Sequence, residues 1–195
     1  MIEQHRTALN ELSVVLDAMD VESVETACNM ICDSNEILLY GCGREALQMR
    51  GLAMRLYHLG CKAGMVVDMN APPLRNGDLF VASAGPGELS TVSALMQVAK
   101  RDGARILFLT AVADAQATAI ADHTLVIPAQ TMATDMEATQ SAEHDAGTTN
   151  QLSVLPMGSI YEGVMFVLFE MMVLKIQTLL DVKTQDMRAR HTNME

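Results

Sequence analysis

One carboxylate, Glu162, sits where a polar stretch gives way to a long apolar one, in Leu155-Pro156-Met157-Gly158-Ser159-Ile160-Tyr161-Glu162. The apolar pattern predicts a helix over about 157–180, with Glu162 in its opening turns. The first turn of a helix leaves backbone N–H groups free to face whatever lies in front of it. A carboxylate held there can take a proton from a bound substrate and return it. Taken alone, the same residue has an ordinary explanation: a carboxylate in the first turn stabilises the helix dipole.

Two glycine loops offer the other half of a site. Glu36-Ile37-Leu38-Leu39-Tyr40 runs into Gly41-Cys42-Gly43, and Asp78-Leu79-Phe80-Val81-Ala82 runs towards Gly85-Pro86-Gly87. Each is a short apolar strand feeding a helix, through about Leu59 in the first case and from about Glu88 to Arg101 in the second. Met65-Val66-Val67, Ile106-Leu107-Phe108-Leu109 and Thr124-Leu125-Val126-Ile127 complete five short strands. None alternates with polar residues, so the sheet is expected to be parallel and covered on both faces. In open α/β sheets the ligand crevice lies beyond the carboxyl ends of the strands. That places the site at residues 41–46 and 83–89 and at whatever folds over them.

The remaining chain frames this core. Leu9, Leu12, Val15, Leu16 and Met19 recur at helical spacing, and Asp20 is a plausible N-cap for a helix carrying Val24, Cys28 and Ile31. This N-terminal helical hairpin is expected to pack on the domain or on a neighbouring subunit. Residues 128–155 are too long for an ordinary connection and read as a lid, with helix formers from Met132 to Ala142. The division is then 1–34 for the N-terminal helices, 35–127 for the sheet core, 128–155 for the lid-like loop and 156–195 for the C-terminal helices and tail, all within one domain.

Composition narrows the functions. Half of the 195 residues are hydrophobic and 19% are charged, so a core is affordable without a second domain. With no Trp and 16 Met, that core is aliphatic and adaptable. A formal charge of −11 and no basic stripe argue against nucleic acid as a partner. The most apolar run, Gly163 to Leu174, is too short for a membrane span and contains Glu170. Cys28, Cys32, Cys42 and Cys61 have neither metal-binding nor redox spacing and read as free thiols of a cytoplasmic protein. No cofactor or metal site is expected.

Several segments resemble the sugar isomerase (SIS) domain family, and within it the 6-phospho-3-hexuloisomerase branch. They are Gly41-Cys42-Gly43-Arg44, Ala53-Met54-Arg55-Leu56-Tyr57-His58-Leu59-Gly60, Asp78-Leu79 before a glycine loop, Leu155-Pro156-Met157-Gly158-Ser159 up to Glu162, and the ending Met187-Arg188-Ala189-Arg190-His191-Thr192-Asn193. They follow the family's order over nearly the whole chain. The resemblance implies a three-layer α/β sandwich with a five-stranded parallel sheet. It also implies a homotetramer (or dimer) with sites shared between subunits, and cofactor-free sugar isomerisation through an enediol. Glu162 matches the family's proposed base, and His191 its C-terminal histidine, for ring opening or proton shuttling. Arg55 and His58 match the shared helix, and Gly43, Arg44, Ser83, Gly85, Gly87, Glu88 and Ser159 fall in the binding loops. Read from their surroundings, His58 is a hydrogen-bonded structural histidine, Arg55 pairs with an acidic neighbour, and the role of His191 depends on a docked tail. His123 and His144 match no motif and read as solvated or structural.

The phosphate cradle departs from the family's pattern. Gly-Arg-Ser-Gly has become Gly43-Arg44-Glu45-Ala46, and Ser-Gly-Ser-Gly-x-Thr has become Ala84-Gly85-Pro86-Gly87-Glu88-Leu89. Ser83 and Ser90 are adjacent but, unless the loop shifts, point elsewhere in that register. A hydrogen bond to a charged group contributes roughly 1.5–3 kcal/mol. Glu45 beside an anion would add repulsion on the order of 3–4 kcal/mol at an effective dielectric near 20. Three functions follow. The chain isomerises a sugar phosphate held by a rearranged loop; or it isomerises an unphosphorylated sugar whose hydroxyls or amine meet Glu45; or it is a non-catalytic sugar-binding or regulatory protein. The altered cradle favours the second over the first.

Overall fold

The computed structural model describes residues 2–134 and 153–194. Two helices come first, α1 (Ile2–Asp17) and α2 (Val21–Cys32). Asp20 caps α2 as expected, its Oδ1 accepting from the Glu22 N–H at 3.1 Å. The hairpin packs on the long C-terminal helix: a Cβ at Gly163 would lie 2.9 Å from Leu12 Cδ2, so glycine there permits the close approach.

Five parallel strands follow in the order β2-β1-β3-β4-β5. They are β1 (Ile37–Tyr40), β2 (Ala63–Met65), β3 (Leu79–Ser83), β4 (Arg105–Thr110) and β5 (His123–Val126). Helices α3 (Gly43–Leu59) and α4 (Ser90–Arg101) follow β1 and β3, and a 3-10 turn (Gln116–Ile120) precedes β5. The last two described helices are α5 (Ser159–Leu179) and α6 (Thr184–Ala189).

Period-two alternation sorts each strand between two cores. Ile37, Leu39, Leu79, Val81, Leu107 and Leu109 face the layer containing α2, α3 and α5. Leu38, Phe80, Ala82, Ile106 and Phe108 face the layer containing α4. The sheet is thus covered on both faces, the reason its strands carry no polar alternation. All four cysteines are free, and burial pushes the Cys28 and Cys32 thiols up to about 11.

Some boundaries differ from the pattern-based ones. β2 ends at Met65 rather than Val67, because Asp68 turns the chain by accepting from the Met65 N–H at 3.0 Å. α4 starts at Ser90, leaving Glu88 in the preceding loop. α5 starts at Ser159 because Met157 (φ 57) and Gly158 (φ 71) are left-handed. A side chain at Gly158 would put Cβ 2.5 Å from Met132 N, so this turn requires glycine. Of the expected lid, residues 132–134 are helical, while 135–152, with His144 and most of the Met132–Ala142 segment, lie outside the described residues.

Candidate active site at the strand ends

The N-termini of α3 and α5 meet beyond the carboxyl end of the sheet, around a cavity of about 660 Å³. Gly43, Arg44, Glu45, Gly85, Glu88 and Glu162 all line it. Arg44 bridges the two helices. Its Nε donates to Glu162 Oε1 at 3.3 Å, its Nη1 to Ser159 Oγ at 3.0 Å, and its Nη2 to the Met157 carbonyl. Ser159 Oγ in turn donates to the Pro156 carbonyl at 2.6 Å. The left-handed turn is thereby tied to the arginine. Glu162 Oε2 is buried and has no hydrogen-bond partner among the described residues. Neither has Oγ1 of Thr131, a cavity residue only 4% exposed.

Glu45 behaves differently from what its sequence position suggested. It is 8% exposed, with its carboxylate against the glycine loop. The Gly85 N–H donates to both oxygens, at 3.0 and 3.2 Å, and Ser83 Oγ donates to Oε2. Ser83 therefore does reach the cradle, correcting the expectation that it points elsewhere; Ser90 is exposed at the start of α4. Burial raises the Glu45 pKa above the usual carboxylate value, the bonds from Ser83 and Gly85 work against that, and the Glu162 charge adds to it. Gly85 makes the packing possible, since its Cβ would sit 3.2 Å from both Glu45 Oε1 and the Tyr161 ring. Gly87, at φ 94, turns the loop back, with Val112 and Ala115 side chains 3.0 Å from where its Cβ would be.

Tyr161, absent from the sequence-based candidates, is buried behind this cluster with its hydroxyl 3.4 Å from Ser83 Oγ. Burial, then the Glu45 charge, push its phenol far above the ordinary value. Its only sequence signal was adjacency to Glu162. Thr131 had none.

Three predicted residues lie elsewhere. Arg55 pairs bidentately with Glu170 on α5, its Nε 2.8 Å from Oε1, and this holds the Glu170 pKa low. His58 is buried at the far end of α3, fourteen residues or about 21 Å from Arg44 along the helix. The His191 ring lies 5.2 Å from that of His58, and Arg190 Nη1 donates to the His58 carbonyl at 3.1 Å. Burial first, then His191 and Arg55, lower the His58 pKa. Within one chain, Glu162 and His191 therefore belong to opposite ends of α3. His123 is structural, bonded through Nε2 to the Ser23 carbonyl and hydroxyl.

A parallel α/β sandwich with a cavity at the strand ends, bounded by two helix N-termini, is a ligand-binding architecture. The SIS domain model matches residues 30–143, and the chain belongs to the SIS domain family. It is 30% identical over 193 residues to the 3-hexulose-6-phosphate isomerase of Mycobacterium gastri, covering 95% of this chain and 90% of the relative. The fold matches a hypothetical protein of Methanococcus jannaschii whose crystal structure inferred the function of 3-hexulose-6-phosphate isomerase. That match has a TM-score of 0.80 at 20% identity, over 99% of both chains. It also matches the sugar isomerase domain of an RpiR transcription factor from Sphaerobacter thermophilus, at a TM-score of 0.68 and 19% identity, over 97% and 94%. Among the described residues no helix is long and apolar enough to cross a membrane, and no group of three or more His, Cys, Asp and Glu is placed to hold a metal ion.

Proposed function

We propose that this protein is a sugar isomerase that moves a proton between adjacent carbons through an enediol, with Glu162 as the base. The observation that carries this reading is the free Oε2 of Glu162 at the cavity, with Oε1 fixed by Arg44. One oxygen anchored and one unpartnered is the arrangement a base needs to meet a C–H bond in a fixed orientation. The substrate sits in front of Gly43 and Gly85, and the reaction needs proton transfers alone.

The substrate is a sugar other than the usual phosphosugar of the branch. Glu45 already takes the Ser83 hydroxyl and the Gly85 N–H, and Arg44 is engaged with Glu162, Ser159 and Met157. An incoming phosphate meets a carboxylate rather than free donors. His191 reaches a site only from a second protomer, in line with a homotetramer or dimer that shares its sites. Leu47, Met54, Phe166 and Leu174, each more than half exposed on α3 and α5, supply an apolar face for such assembly. The free thiols fit a reducing cytoplasm.

A second reading, a non-catalytic sugar sensor, draws support from the same fold in a transcription factor's sugar isomerase domain. Turnover separates the two. The purified protein should convert 6-phospho-3-hexulose to fructose 6-phosphate poorly and isomerise an unphosphorylated sugar faster. Turnover of the phosphosugar at rates usual for a dedicated enzyme contradicts the substrate reading, and tight sugar binding without proton exchange favours the sensor.

A further inference from the structure

Resting on the reading of the cavity as a sugar site, we propose that Glu45 sets the ligand class by filling the anion cradle with its own carboxylate, so that replacing it with serine or alanine opens the cradle to phosphate. Two of the donors that an anion would seek are in place. The Gly85 N–H and the Ser83 hydroxyl converge on one point, at the N-terminus of α3, and that point holds the Glu45 carboxylate. Arg44, the cation of the cavity wall, is turned to Glu162, Ser159 and the Met157 carbonyl.

The carboxylate is wedged rather than draped. Gly85 lies directly against it, with a Cβ there falling 3.2 Å from both Glu45 Oε1 and the Tyr161 ring, and Glu45 is only 8% exposed. It is a tethered anion that needs no diffusing partner. What the cavity leaves unpaired among the described residues are the Glu162 Oε2 carboxylate oxygen, which accepts, and the Thr131 hydroxyl, which can donate or accept, so a ligand carrying hydroxyl groups satisfies both. Cutting the side chain back to serine or alanine releases two donors and the space between them, and removes the charge that repels an anion.

The test is titration of inorganic phosphate into the full-length wild type, Glu45→Ser and Glu45→Ala, read by calorimetry, thermal shift and the Gly85 amide resonance. Phosphate affinity rises about a hundredfold in the variants, as expected for two or more regained bonds to a charged group, and their Gly85 amide moves. The wild type shows neither effect. Folded variants that bind phosphate no better than wild type overturn the proposal. Variants that stay unfolded in phosphate also overturn it, because the anion should replace the lost carboxylate. Phosphate shifting the wild-type Gly85 amide contradicts the filled cradle itself. A gain of phosphate binding in the variants, with no sugar bound by the wild type, instead removes the sugar reading and leaves the role of Glu45 standing.

Discussion

The Arg44 guanidinium lies 3.3 Å from Glu162 Oε1, and the same side chain holds Ser159 Oγ and the Met157 carbonyl. The N-termini of α3 and α5 are therefore fixed to each other at the carboxylate proposed as the base. Arg44 is about half exposed, so the ion pair itself contributes less than about 1 kcal/mol to stability. Arg44→Ala should leave the denaturation midpoint nearly unchanged while slowing proton exchange into substrate about tenfold or more, because Glu162 loses its orientation. Lysine cannot span the three acceptors and should restore little. Equal exchange rates in wild type and Arg44→Ala would remove the positioning role.

Gly158→Ala should be the most damaging small substitution near the site. It places a Cβ 2.5 Å from Met132 N and 2.8 Å from the Thr131 carbonyl carbon, at φ 71. Left-handed strain alone costs on the order of 1–3 kcal/mol, and the backbone overlap adds to it. Gly51→Ala, with nothing within 4 Å and a place inside α3, should instead stabilise by about 0.5–1 kcal/mol. Urea unfolding of the two variants checks both signs.

Two buried or paired carboxylates should give opposite pH dependences. Burial raises the Glu45 pKa above 4.5, so the folded state holds this proton more tightly than the unfolded one. Its contribution to stability is present below the unfolded value and declines as pH rises through the folded value. The stability of Glu45→Gln relative to wild type should therefore climb with pH across that window. Glu170 is held below 4.5 by Arg55, so its contribution is present above the unfolded value and is lost as pH falls through the folded one. Glu170→Gln should lose its deficit relative to wild type in acid. Parallel pH profiles for the two variants would contradict the assigned environments.

Phe166 is 60% exposed on a helix that is apolar nearly all round. Light scattering should show the wild type as an oligomer and Phe166→Glu as a monomer that loses any contribution of His191 to a neighbour's site. A wild type that stays monomeric at high concentration would rule out shared sites.

Much of this was legible in the chain. The five apolar runs and the cap Asp20 follow from local pattern, which determines strands and helix ends, and the placing of a cavity at the strand ends follows from the parallel sheet. The state of Glu45 did not, because burying a carboxylate depends on donors forty residues away in Gly85 and Ser83, a tertiary fact. Met157 was read as helical because nothing local forbids it; the turn becomes left-handed through Gly158 pressed against Thr131 and Met132. The separation of His191 from Glu162 follows from the length of α3, which places the C-terminal tail at the helix's other end.

The central claim is that Glu162 moves a proton on a bound sugar. The direct measurement is deuterium incorporation from heavy water, followed by NMR over a panel of phosphorylated and unphosphorylated aldoses and ketoses, for wild type and Glu162→Gln. The account predicts incorporation at the carbon next to the carbonyl for at least one unphosphorylated sugar with the wild type, and its loss by about 10²–10⁴-fold in Glu162→Gln with binding largely retained. Incorporation that persists in Glu162→Gln, or none in the wild type with a sugar that binds tightly, would contradict it.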